Sequence, residues 1–259
     1  MERIQHRKPT GVSRNHLRIW GLLFLLAGMI GQGVLQTRVM GLDVMSPEQI
    51  LAVLESSPDM MTVATVSLLL KALETCGVPI FAFLLVDGWM NTSSRGKYAL
   101  RVLELALISE IPYDLAMSGK WLHFSVQNPA LGLVLTMAVL YFYGLYPGKG
   151  FKNVAIKLLV TLCAMLWTSM LRIEYAGSLV LTTVVLYLCW SKPNLRAIAG
   201  ATATLLCSLS SLLFMMAPMG FLLIHFYNPE RNEEENRRLV YCAYPAMLAA
   251  VSVISIFVL

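Results

Sequence analysis

The chain has 259 residues, of which 57% are hydrophobic and only 14% charged, with a net charge of +5 and a mean hydropathy of +0.67. Soluble domains carry about 25% charged residues, and a globule of this length has too little interior to hide so much apolar surface, so the surrounding solvent must be lipid. This excludes a soluble enzyme, a disordered chain and a disulfide scaffold, and the scattered positive charge, with no continuous basic face, excludes a nucleic-acid binder.

In chain order, residues 1–16 form a basic tail, and residues 17–259 read as one helical membrane domain. Apolar runs long enough to cross a bilayer as helices occur at 17–36, 61–86, 98–117, 129–146, 154–171, 176–190, 197–227 and 240–259. None alternates with period two, which argues against a β-barrel. The expected fold is therefore all-α and polytopic, with about eight transmembrane helices. The first run has no small-residue cleavage site behind it and reads as a retained span. The run 197–227 is long for one helix and short for two, with Ala217-Pro218-Met219-Gly220 near its middle. It predicts a full span followed by a short helix, broken or re-entrant near Pro218.

Lys and Arg mark cytoplasmic connections. Thirteen of them fall in the tail and in alternate connections, including Arg14, Arg18, Arg95, Lys97 and Arg101, against three (Arg38, Lys120, Arg172) on the opposite side. The N-terminus is thus expected in the cytoplasm, and loop 41–59, with Asp43, Glu48, Glu55 and Asp59, outside. The five cysteines show no CxxC spacing and read as small buried hydrophobes.

Ionisable residues at membrane depth are costly and need partners or water. Lys71 and Glu74, like Arg101 and Glu104, stand at i, i+3, the spacing of a structural ion pair. Glu110 and Asp114 stand at i, i+4 around Pro112, where like charges repel. They are expected either to snorkel outward or to line a polar cavity in which repulsion raises one carboxyl's pKa toward the range useful for proton transfer, with Lys71 as the nearest basic partner. His123, in the short loop that follows, is the histidine closest in sequence to these acids and a candidate base; an ordinary interfacial residue is the competing reading. His225 lies in an apolar run before Tyr227-Asn228, while His6 and His16 belong to the solvated tail. No metal-ligand spacing, GxSxG, P-loop or GxGxxG occurs.

The stretch 78–116, VPIFAFLLVDGWMNTSSRGKYALRVLELALISEIPYDLA, resembles the TraX family of bacterial membrane proteins, named after the enzyme that acetylates the N-terminus of conjugative pilin. The family's PIFAFL(L/I)VEG, K-Y-x-x-R-L and SEIPFDLA steps have counterparts in residues 79–88, in Lys97-Tyr98 with Arg101, and in residues 109–116. Gln127-Asn128, Glu174-Tyr175-Ala176-Gly177, Tyr227-Asn228 and Tyr244-Pro245 resemble later steps in the same order. The resemblance implies a bacterial inner-membrane acyltransferase that takes acetyl-CoA or another acyl-CoA and modifies a pilin or peptide N-terminus, or a cell-surface glycan or lipid. Such chemistry needs a base for the acceptor and stabilisation of an oxyanion. Glu110, Asp114 and His123 are the catalytic candidates. Arg101, Lys71, Glu74, Asn128, His225, Tyr227 and Asn228 are candidates for substrate binding, and Arg95 and Lys97 for the polyanionic CoA. No metal is implied.

Three family histidine positions are replaced. An Asp-His pair late in the first span becomes Gly31-Gln32, His-Thr becomes Asn91-Thr92, and the histidine after the terminal FYP gives way at Ala246. A chain that kept the fold for an assembly or interaction role is the competing reading. A small-solute transporter is the third, because transporters also place charges and broken helices near mid-membrane.

Overall fold

The computed structural model describes residues 11–42, 45–209, 211–231 and 238–257; Arg3, His6, Arg7, Lys8 and Asp43 lie outside the described residues. Helix α1 (Arg14–Met29) continues as a π-helical segment (Ile30–Val39). There follow α2 (Pro47–Ser56), α3 (Pro58–Thr75), α4 (Gly77–Asn91), α5 (Arg95–Ser118), α6 (Pro129–Leu145), α7 (Phe151–Met170), α8 (Ala176–Leu188) and α9 (Pro193–Cys207). A 3-10 segment (Leu212–Met219) leads into α10 (Gly220–His225), and α11 (Arg238–Phe257) ends the chain. Among the described residues there are no strands, only two single-residue bridges.

Local chemistry sets the helix starts. Ser13, Ser46, Ser57, Ser94 and Asn128 each accept a backbone N–H of the first helical turn, which satisfies one of the orphan donors there. Pro47, Pro58, Pro129 and Pro193 occupy first positions, where a missing N–H costs nothing. Gly119, at φ 68°, closes α5 in the left-handed conformation.

Among the described residues, three segments are long and apolar enough to cross a membrane: Arg14–Val39, Pro58–Asn91 and Phe151–Met170. Pro129–Leu145, Gly177–Leu188, Leu212–His225 and Tyr241–Ile256 are shorter apolar helices. Two expectations change in detail. The second run extends over α3 and α4, which meet at Cys76 with Pro79 just beyond. The run 197–227 divides into α9 and a returning arm, 212–225, whose 3-10 turns contain Pro218. That arm packs where α3 gives way to α4: Thr75 Oγ1 donates to the Leu213 carbonyl and Cys76 Sγ to that of Met216.

Two ends of the bundle are defined by contacts. At the first, Val12 and Tyr227 form a bridge, Arg14 pairs with Asp87, and Arg95 approaches Gly144. This is the arginine end. At the other, Gln127 bridges to Ile173, and Arg38 reaches both Gly119 and Ser255. This is the loop end. Helix α11 runs from Tyr241, beside Arg14 and Arg18, to Ser252, which donates to the Pro112 carbonyl. The largest core cluster centres on α4, with Ile80, Phe83 and Val86 fully buried. Helix α7 shows the opposite pattern, with Leu158, Leu166, Trp167 and Met170 between 59% and 75% exposed, an apolar face suited to lipid.

Backbone contact at Gly33 holds α5 against the π segment. A Cβ there would lie 2.4 Å from the Ala116 carbonyl oxygen, whereas a Cβ at Gly96 meets open space. Gly33→Val should therefore cost stability at the upper end of the ~1–3 kcal/mol range for overpacking. Thermal unfolding in detergent should show a lowered midpoint for Gly33→Val and an undiminished one for Gly96→Ala.

Candidate functional site

Helix α3 places Lys71 and Glu74 on one face, and the turn before α8 brings Glu174 to them. Lys71 Nζ pairs with Glu74 Oε2 at 2.8 Å and with Glu174 Oε1, and lies 5.2 Å from the centre of the Tyr175 ring. Tyr113 of α5 donates its hydroxyl to the second Glu174 oxygen at 2.6 Å. Glu74 is packed directly against Gly28 of α1, where any Cβ would overlap its carboxylate. The glycine is what lets a charged side chain lie flat between two helices. This cluster ties α1, α3, α5 and the start of α8 together.

Asn128 is fully buried beside it. Its Oδ1 accepts the Ala130 N–H at 2.9 Å and the Tyr244 hydroxyl at 2.8 Å. A backbone N–H can only donate, so these bonds fix which way the amide faces. Nδ2 is left buried without a partner, and so are both carboxylate oxygens of Glu110. The polar neighbours of Glu110 include the Asn128 backbone N–H and the Asp114 carboxylate, and Glu74, Glu110 and Glu174 all lie within electrostatic range of Tyr244. The backbone around Asn128 is held by its neighbours: Gln127 N–H donates to the Arg172 carbonyl, and Glu174 N–H to that of Gln127.

Two cavities lead to this centre. At the arginine end a cavity of about 180 Å³ is lined by Arg14, Arg18 and Arg101, together with Asn91, Thr92, Tyr98 and Tyr241. It shares Phe81, Leu105 and Leu133 with a deeper cavity of about 60 Å³. Apart from the phenols of Tyr175 and Tyr244, the lining of this inner cavity is apolar, and it also includes Pro129 and Ala130, the residues after Asn128. A buried ion pair flanks the mouth: Arg14 Nη2 lies 2.6 Å from Asp87 Oδ2, and Asn91 donates to Asp87 Oδ1 at 2.9 Å.

The sequence candidates separate on this map. Lys71, Glu74, Glu110, Asp114 and Asn128 converge. The expected Lys71 partnership with Glu110 and Asp114 does not form; its carboxylates are Glu74 and Glu174, because the 172–175 turn enters the bundle between them. Asp114 is buried and accepts the His123 backbone N–H at 2.8 Å, so it anchors the 119–128 loop. Neither acid lines the cavities described. Arg101 donates from Nε to the Lys97 carbonyl rather than pairing with Glu104. Of the CoA candidates, Arg101 lines the outer cavity, whereas Arg95 stacks on Trp89 and the exposed Lys97 does not line it. His225, Tyr227 and Asn228 lie at the arginine end, remote from Asn128. There Val12 is clamped between Phe226 and Asn228 by backbone hydrogen bonds, and Tyr227 packs edge-on against Phe83.

Sequence reasoning assigned no site role to Arg14, Arg18, Tyr113, Glu174, Tyr175 or Tyr244. Glu174 carried a usable signal, being an acid between two apolar runs. Arg14 and Arg18 were indistinguishable from tail charges.

An all-helical bundle with membrane-length apolar segments and a polar centre between its helices is of the polytopic membrane-protein class. The chain matches the family described as TraX protein over residues 49–255, and it belongs to the TraX family. No curated protein and no solved structure matches it significantly.

Removing Lys71 would leave two buried carboxylates uncompensated. Lys71→Met should destabilise the protein by about 3–5 kcal/mol, the scale for breaking a buried ion pair from one side. Adding Glu174→Gln should restore part of the loss, which melting of the single and double variants will read out.

Proposed function

We propose that this protein is a membrane acyltransferase that takes acetyl-CoA or another acyl-CoA from the arginine end and passes the acyl group to an acceptor at the polar centre. The observation that carries this reading is the buried Asn128 amide, with its unused Nδ2 donor, behind an apolar cavity whose outer neighbour is lined by three arginines. Arg14, Arg18 and Arg101 suit the phosphates of CoA, and the apolar passage suits its uncharged arm. Family membership supports the same class.

In this mechanism the acceptor amine or hydroxyl attacks the thioester carbonyl carbon. Asn128 Nδ2 donates to the oxygen as it becomes an oxyanion. Glu110 takes the acceptor's proton and returns it to the departing sulfur as the C–S bond breaks, so that free CoA leaves. Tyr244 and the Ala130 N–H hold the Asn128 amide in register. Asp114 positions the 119–128 loop, which also carries His123. The acceptor is a pilin or peptide N-terminus, as in conjugation, or a cell-surface glycan or lipid.

The charge asymmetry supports a bacterial inner-membrane protein with residues 1–16 as a cytoplasmic tail, residues 17–259 as one domain of about eight spans, and the arginine end in the cytoplasm. The family resemblance also leaves room for the alternative of a non-catalytic family member with an assembly role: Gln32, Asn91 and Ala246 stand where that resemblance implies histidine. Turnover separates the two readings.

With purified protein, Arg18→Ala and Arg101→Ala should each weaken acyl-CoA binding by about 10-fold or more, the scale of a lost charged hydrogen bond. Asn128→Asp, which keeps the cap oxygen but loses the donor, should lower kcat by about 10²–10³, and Glu110→Gln by about 10² or more. Neither should alter acyl-CoA affinity. Folded protein with no acyl transfer under any condition would favour the assembly role. Orientation is read separately in a cysteine-free background: Ile50→Cys should react with an impermeant thiol reagent in intact cells, and Arg95→Cys should not.

A further inference from the structure

At the loop end, an open groove of about 450 Å³ runs between α6, the end of α7 and the 119–128 loop. Helix α6 contributes Leu131, Val134 and Leu135 to it, at i, i+3 and i+4 on one face. The last residue of α7, Met170, also lines it and is 75% exposed. It continues the apolar outer face of that helix, so the groove opens sideways to lipid. The adjoining loop presents Trp121 and Phe124, 73% and 75% exposed, and such aromatic side chains belong at the membrane–water interface. Gln127 and Arg172, the polar residues of the lining, therefore lie at headgroup depth, with Leu135 about two helical turns further in.

Arg172 is exposed, and among the described residues it pairs with no carboxylate. Its backbone is engaged instead: its N–H donates to the Ser169 carbonyl, and its own carbonyl accepts the Gln127 N–H. It holds φ at 53°, a conformation that glycine would adopt at less cost. A free guanidinium at headgroup depth beside an apolar groove complements one kind of molecule, a phosphate ester with a hydrocarbon chain. The planar fork matches two phosphate oxygens, and basic pockets between membrane helices hold lipid headgroups in this way. A chain that leaves the bilayer for the groove exchanges one apolar surrounding for another, so selectivity comes from the phosphate contact.

We propose that this groove binds one glycerophospholipid of the surrounding leaflet, with its phosphodiester on Arg172 and Gln127 and one acyl chain along Leu131, Val134 and Leu135. The lipid would brace the polar centre from the bilayer side. Ile173, next to Arg172, bridges to Gln127 and is seated on Gly132 of α6, where a Cβ would come within 3.2 Å of its side chain. A ligand that ties Arg172 to α6 therefore clasps the junction from which Asn128 and Glu174 enter the centre. The site does not depend on the acyl-CoA reading, because it lies at the opposite end of the bundle from the arginine-lined mouth.

The test is thermal unfolding of the full-length protein, freed of lipid in a non-ionic detergent, with phosphatidylglycerol, diacylglycerol of the same chains, or glycerophosphate added. Phosphatidylglycerol should raise the midpoint by about 5 °C or more, the shift that mass action gives at roughly 100-fold excess over the dissociation constant. Diacylglycerol, which lacks the phosphate, and glycerophosphate, which lacks the chains, should each give less than about half of that shift. Arg172→Gly should keep the turn, since glycine takes this φ freely, and should bring the phosphatidylglycerol response down to that of diacylglycerol. Leu135→Trp, which fills the groove and spares the guanidinium, should also reduce the response and serves if Arg172→Gly does not fold. Equal shifts from diacylglycerol and phosphatidylglycerol would overturn the proposal in favour of non-specific apolar contact. Equal shifts from glycerophosphate and phosphatidylglycerol would overturn it in favour of a free-anion site. No shift with phosphatidylglycerol, or a full shift that survives in the folded variants, would also overturn it. None of these outcomes bears on acyl-CoA binding at the arginine end.

Discussion

A lysine ammonium buried among helices is tolerated only with carboxylates to compensate it, and Lys71 has two, Glu74 and Glu174. The rest of the centre depends on meeting that constraint. Glu174 sits in a turn, so pairing with Lys71 draws the 172–175 segment into the bundle, and with it Tyr175, which overlies the ammonium. The same turn donates the Glu174 N–H to Gln127, which fixes the residue before Asn128. Tyr113 completes the Glu174 carboxylate from α5. The Asn128 amide therefore owes its place to an ion cluster it does not touch.

That arrangement leaves polar capacity unused where a folded protein normally satisfies it. Asn128 spends its oxygen on a helix cap and a phenol, yet its nitrogen is buried and unpartnered, and the neighbouring Glu110 carboxylate has the Asn128 backbone N–H and Asp114 as its polar surroundings. The arginine end is organised differently. Among the described residues there, the buried carboxylate Asp87 is occupied by Arg14 and Asn91, and Arg18 and Arg101 also line the mouth.

Much of the helical layout was legible in one dimension because lipid imposes simple length and polarity requirements. The helix starts were readable from Ser and Asn caps and from first-position prolines, whose effects are local. The 78–116 stretch sufficed for the family, and Glu110 and Asn128 stood out within or just after it. What was not legible depended on contacts between distant segments. Lys71 and Glu74 look like a self-contained i, i+3 pair until Glu174, far along the chain, enters. Asp114 looks like the twin of Glu110, but a backbone N–H nine residues later claims it. The resemblance of Tyr227-Asn228 to a family step gave no hint that these residues clamp Val12, because backbone pairing leaves no trace in side-chain pattern.

By itself the sequence determined that this is an all-helical membrane protein of the TraX family with charges at membrane depth, since apolar run length, composition and motif are properties of the chain. Only the tertiary structure decided which of those charges neutralise one another, which amide is left with a donor to spare, and that arginines from α1 rather than Arg95 or Lys97 line the mouth. The reason is physical: a side chain's role at membrane depth is set by the few groups within about 4 Å of it, where electrostatic and hydrogen-bond energies are large, and in a helical bundle most of those groups come from elsewhere in the chain.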